Sequence, residues 1–446
     1  MCSVDLKIKV LIFSSSSGLV NLEVHRNVDT ECGTNTCSIP ARHIYYPIWH
    51  RASGPGRPEE STISDLELGA RKCIVDETML APLYVADLFS GAGGLTEGFR
   101  RAGFMPVAAV EYDKWAARTY VANFGEHVLA CPIEDVAVER IGERLLWSGY
   151  NAHGEPLAFE TPEVDVLVGG PPCQGFSPLG RMNDWDFTDP RNKLWKHYVR
   201  ILNVLRPKVF VLENVPELLK SPEFERFRVQ VKNFYDLSFG VLNAIHYGVP
   251  QARRRAIVIG SRVGNAQLPA ATTIRTTVRD VIGNLAFVPD GENWHVSRNP
   301  RPQSIERYKA VPPGGNRFDL VKNRPDLAPP CWIKKKTGST DVFGRMRWDE
   351  PSPTIRTEFF KPEKGRYLHP EAHRPITIRE AARLQTFPDS FTFIGSNVQV
   401  AKQIGNAVPV DLAERIAIQV RSMLAISGTA SERAGVGRQQ VRTGTE

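Results

Sequence analysis

Short apolar runs that end at glycine-rich or polar turns organise the middle of the chain. They predict strands at 83–89, 106–111, 164–168 and 209–212, with 237–245 and 256–259 completing the set. Helical periodicity predicts helices at 95–101, 116–123 and 193–205. Because apolar strands that alternate with helices form sheets covered on both faces, the predicted fold class is α/β, with a doubly wound, mostly parallel sheet.

The alternation stops at about residue 264 and returns near the C-terminus. Residues 265–375 are rich in proline and glycine, with dispersed tryptophans, and predict a smaller loop-rich domain. Helices are predicted again at 377–386 and from Pro409 to about 424. The chain is therefore divided into an α/β domain at 81–264, an inserted domain at 265–375, a return to the first domain at 376–425 and a tail at 426–446.

Residues 1–80 have no clear period and contain a Gly/Pro/Glu-rich stretch at 53–61. We expect a flexible N-terminal extension that activity does not need, with Met79 as an alternative start four residues before the first strand. The competing interpretation is a small accessory unit, because 6–13 and 19–24 could pair as a hairpin.

Composition limits the class of protein. Hydrophobic residues make up 42% and charged residues 24%, and no apolar run is long enough to cross a membrane, so we expect a cytoplasmic protein. The seven cysteines contain no C-x-x-C pair, which argues against a disulfide framework or a metal site. Of the net charge of +7, residues 265–345 hold +6 (13 Lys and Arg against 7 Asp and Glu), which suits a polyanionic partner.

A glycine-rich turn follows the first predicted strand, in the segment Asp87-Leu88-Phe89-Ser90-Gly91-Ala92-Gly93-Gly94-Leu95. Glycines there let the backbone approach a ligand, and the next helix offers free N–H groups. Glu111 ends the following strand, where an acid can hold two ribose hydroxyls. The alternative is a tight turn without a ligand, and the absence of G-x-G-x-x-G disfavours a dinucleotide.

Cys173 lies directly after another predicted strand, within Gly169-Gly170-Pro171-Pro172-Cys173-Gln174-Gly175. A lone cysteine is usually inert and buried. The two prolines fix the backbone before this one, at the strand end where such folds bind ligands, which favours a reactive thiol.

Two further polar groups stand at strand ends. Glu213 begins Glu213-Asn214-Val215 after the strand at 209–212, and Gln251-Ala252-Arg253-Arg254-Arg255 enters the strand at 256–259. Glu213 alone is equally explained as a helix cap or a solvated acid. The arginines are either a solvated charge run or a clamp on phosphate and base.

In combination these segments resemble the cytosine-C5 DNA methyltransferases. The resemblance rests on six motifs in the family's usual order: the turn at 87–95, Pro171-Pro172-Cys173-Gln174, Glu213-Asn214-Val215, Gln251-x-Arg253-x-Arg255, Arg379-Glu380-Ala381-Ala382-Arg383-Leu384-Gln385 and Gln403-Ile404-Gly405-Asn406-Ala407-Val408-Pro409. It covers about 83–425. It implies a Rossmann-like fold that binds S-adenosylmethionine, with 265–375 as the target-recognition domain.

The resemblance also implies the roles of individual residues. Cys173 would be the nucleophile at C6 of cytosine, Glu213 the acid near N3 and Arg255 the contact to O2, while Arg253, grouped with this catalytic set, looks more structural. Phe89 would lie against the adenine, Glu111 on the ribose, Asp135 at the adenine amino group and Asn406 near the methionine end. The full set expected to bind the cofactor is Asp87, Phe89, Gly91, Gly93, Gly94, Leu95, Glu111, Asp135, Pro171, Asn406 and Val408.

Double-stranded DNA is the expected partner, and the protein is expected to be a monomer. The target base would flip out of the duplex, and the loop 174–191 would close over it. A role beside a cognate restriction endonuclease is favoured, and an orphan methylase is the alternative. Enzymes that methylate the amino groups of adenine N6 or cytosine N4 share this fold class, but they lack the cysteine that this chain has at 173. A tRNA cytosine methyltransferase shares all six motifs, but the basic insert favours DNA. A non-catalytic DNA-binding regulator would need a damaged motif, and none is visible in the sequence.

Overall fold

A computed structural model describes residues 5–14, 20–29, 81–172, 193–334 and 337–439, with the backbone alone for 5–14, 20–29 and 427–439. The chain divides into two compact units, Met1–Thr78 and Met79–Glu446. No helix in the described ranges is both long and apolar enough to span a bilayer.

Of the described strands, the first two lie in the first unit and the others, with all the described helices, in the second. The strands are β1 Asp5–Ser14, β2 Val20–Asp29, β3 Leu83–Leu88, β4 Phe104–Val110, β5 Val128–Leu129, β6 Ala137–Ile141, β7 Arg144–Tyr150, β8 Pro156–Thr161, β9 Val166–Gly169, β10 Val209–Asn214, β11 Asp236–Asn243, β12 Gln251–Ala252, β13 Arg254–Ser261 and β14 Ser352–Pro353. The helices are α1 Gly94–Arg101, α2 Lys114–Phe124, α3 Trp195–Leu205, α4 Pro222–Val231, α5 Val278–Ile282, α6 Pro302–Lys309, α7 Arg317–Asn323, α8 Pro330–Lys334, α9 Ile378–Leu384, α10 Asn397–Asn406 and α11 Val410–Gln439.

The first unit contains a hairpin. β1 and β2 pair antiparallel, from Asp5 opposite Asp29 to Ser14 opposite Val20. The pairing that the sequence offered as an alternative is therefore present, with a longer second strand than the pattern indicated.

A seven-stranded sheet forms the centre of the second unit, in the order β11-β13-β10-β9-β3-β4-β5. The pairs from β10 to β5 are parallel, and β13 pairs antiparallel with both β10 and β11. The predicted mostly parallel α/β sheet is confirmed. β13 and β11 are joined by a short connection, which permits only an antiparallel neighbour.

The two faces of this sheet bury different side chains. Along β10, Val209 and Val211 enter one hydrophobic cluster, with α1 and α11, and Phe210 and Leu212 enter the other, with α3 and α4. Because successive strand residues point to opposite faces, the apolar runs are continuous rather than alternating. The sheet is therefore doubly wound.

A second, three-stranded antiparallel sheet of β6, β7 and β8 lies between β5 and β9 in the chain. The hydrophobic pattern of the sequence does not predict this sheet. Its strands alternate polar and apolar residues, and only a few side chains, such as Leu145 and Trp147, are fully buried. Such short, half-exposed strands carry a weak hydrophobic signal.

Most buried apolar side chains of residues 265–375 belong to two hydrophobic clusters. Tyr308, Leu320 and Phe343 pack in a small cluster formed entirely within this segment. Val278, Ile282, Ile355 and Tyr367 pack instead with side chains of α9 and α10. This second cluster anchors the inserted segment on the helices that follow it.

Candidate active site

The candidate site lies where β3, β4, β9 and β10 end. Leu88 pairs with Val110 on one side and with Gly169 on the other, and Gly169 pairs with Leu212. The residues that follow these positions therefore emerge along one edge of the sheet. This is where open α/β sheets bind ligands.

The glycine-rich turn after β3 needs its glycines for different reasons. Gly93 has φ +96°, and a Cβ there would lie 2.3 Å from the Phe124 ring. A Cβ on Gly94 would lie 2.6 Å from the carbonyl oxygen of Val408. Gly91, at φ +55°, faces open space, with nothing within 4 Å of an added Cβ. Gly93 and Gly94 thus permit close packing, whereas Gly91 leaves room for a ligand.

Glu111 closes the turn from the neighbouring strand. Its Oε2 accepts a hydrogen bond from the Gly91 N–H at 2.8 Å, and its Oε1 accepts one from the Asp113 N–H at 2.7 Å. Burial raises the pKa of Glu111, while these bonds and the charge of Lys402 act to lower it. The next residue, Tyr112, to which the sequence motifs assign no role, presents a ring that is 64% exposed.

Asp87 is buried beneath the turn. Its Oδ2 accepts a hydrogen bond from the Thr96 hydroxyl at 2.7 Å. Burial raises the pKa of Asp87 from 3.8 to about 7. Its Oδ1 and the Ser90 hydroxyl have no hydrogen-bond partner within the described part of the chain.

The other residues expected to bind the cofactor differ in exposure. Phe89 is half-buried with φ +61°, a conformation uncommon outside glycine. The Leu95 side chain packs in the hydrophobic cluster of α1 and α11 rather than facing the turn. Asp135 is exposed on the short 3-10 turn Ile133–Asp135. Asn406 is exposed at the end of α10, and Val408 is buried against Gly94.

The segment after β9 begins at the same edge. Pro171 is buried, and its carbonyl accepts a hydrogen bond from the Asn214 amide at 2.8 Å. Asn214 belongs to the Glu213-Asn214-Val215 motif, which by itself assigns it no role. Its hydrogen bond holds the backbone that leads into the Pro-Pro-Cys motif. Cys173 and the loop 174–191 lie outside the described residues.

Glu213 is held between two neighbours. Its Oε1 pairs with Arg255 Nε at 2.8 Å. Its Oε2 would lie 2.9 Å from a Cβ added to Gly170. A side chain at 170 would therefore displace the carboxylate, and Gly170 lets Glu213 lie against the start of the Pro-Pro-Cys segment.

Arg253 and Arg255 occupy different environments. Arg255 remains partly accessible beside Glu213. Arg253 is 2% exposed and donates to the carbonyls of Ile355 at 3.0 Å and Gly405 at 3.1 Å. Burial, together with the charge of Arg255, moves the pKa of Arg253 well below its usual value. Arg253 thus joins segments that are far apart in sequence, those of Ile355 and Gly405, whereas Arg255 lies beside Glu213 at the site.

Two buried glutamines extend that contact. The Gln251 amide donates to Leu384 O at 3.1 Å and to Gln385 Oε1 at 2.9 Å, and its own oxygen accepts from Ile355 N at 2.9 Å. Gln385 in turn donates to Ile404 O at 2.6 Å. The last three motifs are therefore joined through side-chain to backbone hydrogen bonds.

The turn at 87–95 fits a nucleoside-containing cofactor. Open space at Gly91, the orphaned Asp87 Oδ1 and Ser90 hydroxyl, and a buried acid with the Tyr112 ring beside it supply room, polar groups and an apolar surface. The fold and site together define an α/β enzyme that holds such a cofactor over the carboxyl ends of its strands.

The chain belongs to the C-5 cytosine-specific DNA methylase family, whose model matches residues 83–422. It is a DNA cytosine-5-methyltransferase, and S-adenosylmethionine is its cofactor. The predicted family, activity and cofactor are confirmed.

Its relatives include bacterial Type II methyltransferases. M1.HphI of Haemophilus parahaemolyticus is 35% identical over 358 residues, which cover 76% of this chain and 86% of that protein. M.Sau96I of Staphylococcus aureus is 35% identical over 342 residues, covering 74% of each chain. A solved structure described as a prophage-encoded DNA modification methyltransferase of E. coli has a TM-score of 0.57 at 25% identity, and covers 77% of this chain and 99% of that one.

Proposed function

We propose that the chain methylates cytosine through a covalent adduct between Cys173 and C6 of a base flipped out of duplex DNA. The observation that supports this most is the position of Glu213, paired with Arg255 and lying against Gly170 at the start of the Pro-Pro-Cys segment. Acid, arginine and nucleophile would then surround one base.

The residue types fit this chemistry. Addition of the Cys173 thiolate to C6 pushes electron density to C5, which is otherwise a poor nucleophile. Glu213 supplies a proton at N3 as negative charge builds on the ring, and Arg255 donates to O2. When bound, S-adenosylmethionine supplies the electrophilic methyl group. A base then takes the C5 proton, the bond between C6 and sulfur breaks to release the Cys173 thiolate, and N3 returns its proton to Glu213, which restores the aromatic ring.

On the cofactor side, Glu111 would accept hydrogen bonds from the ribose hydroxyls. Phe89 and Tyr112 would contact the adenine, and Asp135 its amino group. Asn406 would hold the methionine end, where α10 stops beside Gly94. The Gly91 backbone would lie closest to the ligand, because nothing else occupies that space.

The inserted segment 265–375 would read the target sequence, with loops in the major groove and cations on phosphates. The loop 174–191 would close over the flipped base. We further infer a monomer that acts on cytoplasmic DNA as the modification enzyme of a restriction–modification system, because the relatives above are named Type II methyltransferases.

Methyl transfer from tritiated S-adenosylmethionine tests the role of Glu213. Glu213→Gln keeps the shape of the side chain and removes the acid, so kcat on duplex DNA should fall about 10²–10⁴-fold. Glu217→Gln, four residues further on, is the matched control and should keep wild-type activity. Full activity of Glu213→Gln would remove this residue from the mechanism, and transfer to tRNA instead of DNA would overturn the proposed substrate.

A further inference from the structure

Lys402 connects the two halves of the candidate cofactor site, which are about 290 residues apart in sequence. It extends from α10, the helix that ends at Asn406, to the segment just after β4. There its Nζ donates to Asp113 Oδ2 at 2.8 Å and lies 6.0 Å from the centre of the Tyr112 ring. No role was assigned to Lys402 from the sequence.

Asp113 passes this contact on to Glu111. Its Oδ1 caps α2 by accepting from the N–H groups of Trp115 at 3.0 Å and Ala116 at 3.3 Å. Its own N–H donates to Glu111 Oε1 at 2.7 Å. Lys402 thus takes the carboxylate oxygen that the cap leaves free, and the backbone it steadies is the one that orients Glu111.

The charges around Glu111 give Lys402 a second effect. Asp113, just after β4, places negative charge near Glu111, whereas Lys402 supplies positive charge there. The charge of Glu111 in turn helps to raise the pKa of the buried Asp87 on β3. Burial raises the pKa of Asp113, but the hydrogen bond and charge of Lys402, together with the backbone hydrogen bonds of the α2 cap, outweigh it, so this pKa ends below its usual value. Lys402 therefore favours the ionised forms of both carboxylates.

We propose that Lys402 is a positioning residue for the cofactor, fixing Asp113 and Tyr112 so that Glu111 is presented to the ribose hydroxyls. The proposal rests on the proposed role of Glu111. It also gives α10 two roles at the site, since this helix carries Lys402 to Asp113 and ends at Asn406.

A role in general stability accounts less well for this ion pair. The side chains of Lys402 and Asp113 are 47% and 22% exposed, and pairs this accessible contribute little to folding. The buried hydrogen bond from Thr119 to Gln403 Oε1 at 2.8 Å already joins α2 and α10. Removal of Lys402 should therefore leave the two helices packed.

Calorimetric titration with S-adenosylhomocysteine measures the effect directly on the full chain. For Lys402→Met we expect Kd to rise about fivefold, equivalent to ~1 kcal/mol. KM for S-adenosylmethionine should rise similarly, with kcat within about twofold of wild type and an unchanged thermal midpoint. Lys402→Arg should restore most of the affinity, and Lys114→Met, which removes an exposed charge from the first residue of α2, should have no effect.

Two further variants separate the possible failures. Asp113→Asn should weaken binding to a similar extent, and adding Lys402→Met to it should cost little more, because both act through one contact. If Glu111→Gln weakens binding and Lys402→Met does not, the positioning role is wrong. If Glu111→Gln itself leaves Kd unchanged, the proposed role of Glu111 fails instead.

Discussion

The substitution Arg253→Met should lower the free energy of unfolding of the enzyme rather than remove a catalytic group. The buried guanidinium donates to the carbonyls of Ile355 and Gly405, with a longer contact of 3.5 Å to Asn406 O. Methionine fills a similar volume but leaves at least two buried carbonyls without a donor. At about 1–3 kcal/mol for each unsatisfied group, the expected loss is about 3 kcal/mol.

A thermal scan of the cofactor-free protein measures this loss. For a unit of this size, about 3 kcal/mol lowers the midpoint by roughly 4 °C. Arg255→Met is the matched comparison. It removes a single ion pair, with side chains that are 16% and 12% exposed, and leaves no backbone carbonyl of a remote segment without its donor. The midpoint should therefore move less than in Arg253→Met, while kcat/KM falls about 100-fold through loss of the contact to the base.

The two arginines therefore have opposite signatures. An inactive Arg253→Met protein with a wild-type midpoint would show that Arg253 acts on the substrate and would refute the structural reasoning. An Arg255→Met protein that keeps wild-type kcat/KM would refute the assignment of Arg255 to the site.

Three other predictions concern the turn, the motif junction and the first unit. Because burial raises the pKa of Asp87 to about 7, the folded protein holds a proton that the unfolded chain releases above about pH 4, and stability falls as pH rises through this window. Asp87→Asn should therefore raise the thermal midpoint more at pH 8 than at pH 4. An equal change at both pH values would contradict the raised pKa. In Gly405→Ala the new Cβ would lie 2.4 Å from Thr357 N, so overpacking should cost about 1–3 kcal/mol in denaturant unfolding, and wild-type stability would show that this junction is loose. The chain 79–446 should keep the midpoint and specific activity of the full chain, since Met1–Thr78 and Met79–Glu446 are separate compact units; a drop of several degrees would show that the first unit supports the enzyme.

The central sheet could be predicted from sequence because its strands are buried on both faces. Runs such as 166–168 and 209–212 are continuously apolar and end at turns, which distinguishes them from the flanking helices. The β6–β8 sheet lacked this signal, and α4 was also missed. Only Phe224, Phe227 and Val231 of α4 are buried, so its sequence has a weak apolar face.

The location of charge was harder to predict. Residues 265–345 hold most of the net charge, but Arg317 and Arg345 within that segment are 5% and 2% exposed. Arg345 donates to four backbone carbonyls, those of Tyr308, Val311, His369 and Ala372. Arg253 behaves in the same way. Carbonyl acceptors are present at every residue, so sequence alone cannot show which cations they will bury.

Site chemistry followed from motif order, but relations between motifs did not. Glu213 and Arg255 were both predicted, yet their ion pair required β10 and β13 to be neighbours in the sheet. Lys402 was overlooked because its partner, Asp113, belongs to a segment far away in sequence. Contacts of this kind depend on the topology, which brings α10 beside α2 and the segment after β4.

The covalent role of Cys173 is the central claim, and trapping on modified DNA tests it most directly. Duplex DNA with 5-fluorocytosine at the target position cannot lose the C5 substituent, so in the presence of S-adenosylmethionine the enzyme should remain attached through a denaturation-resistant adduct. Cys173→Ser should form none, because a hydroxyl ionises far less than a thiol near neutral pH. A Cys173→Ser protein that still forms the adduct, or a wild-type enzyme that methylates cytosine but is never trapped, would contradict the mechanism.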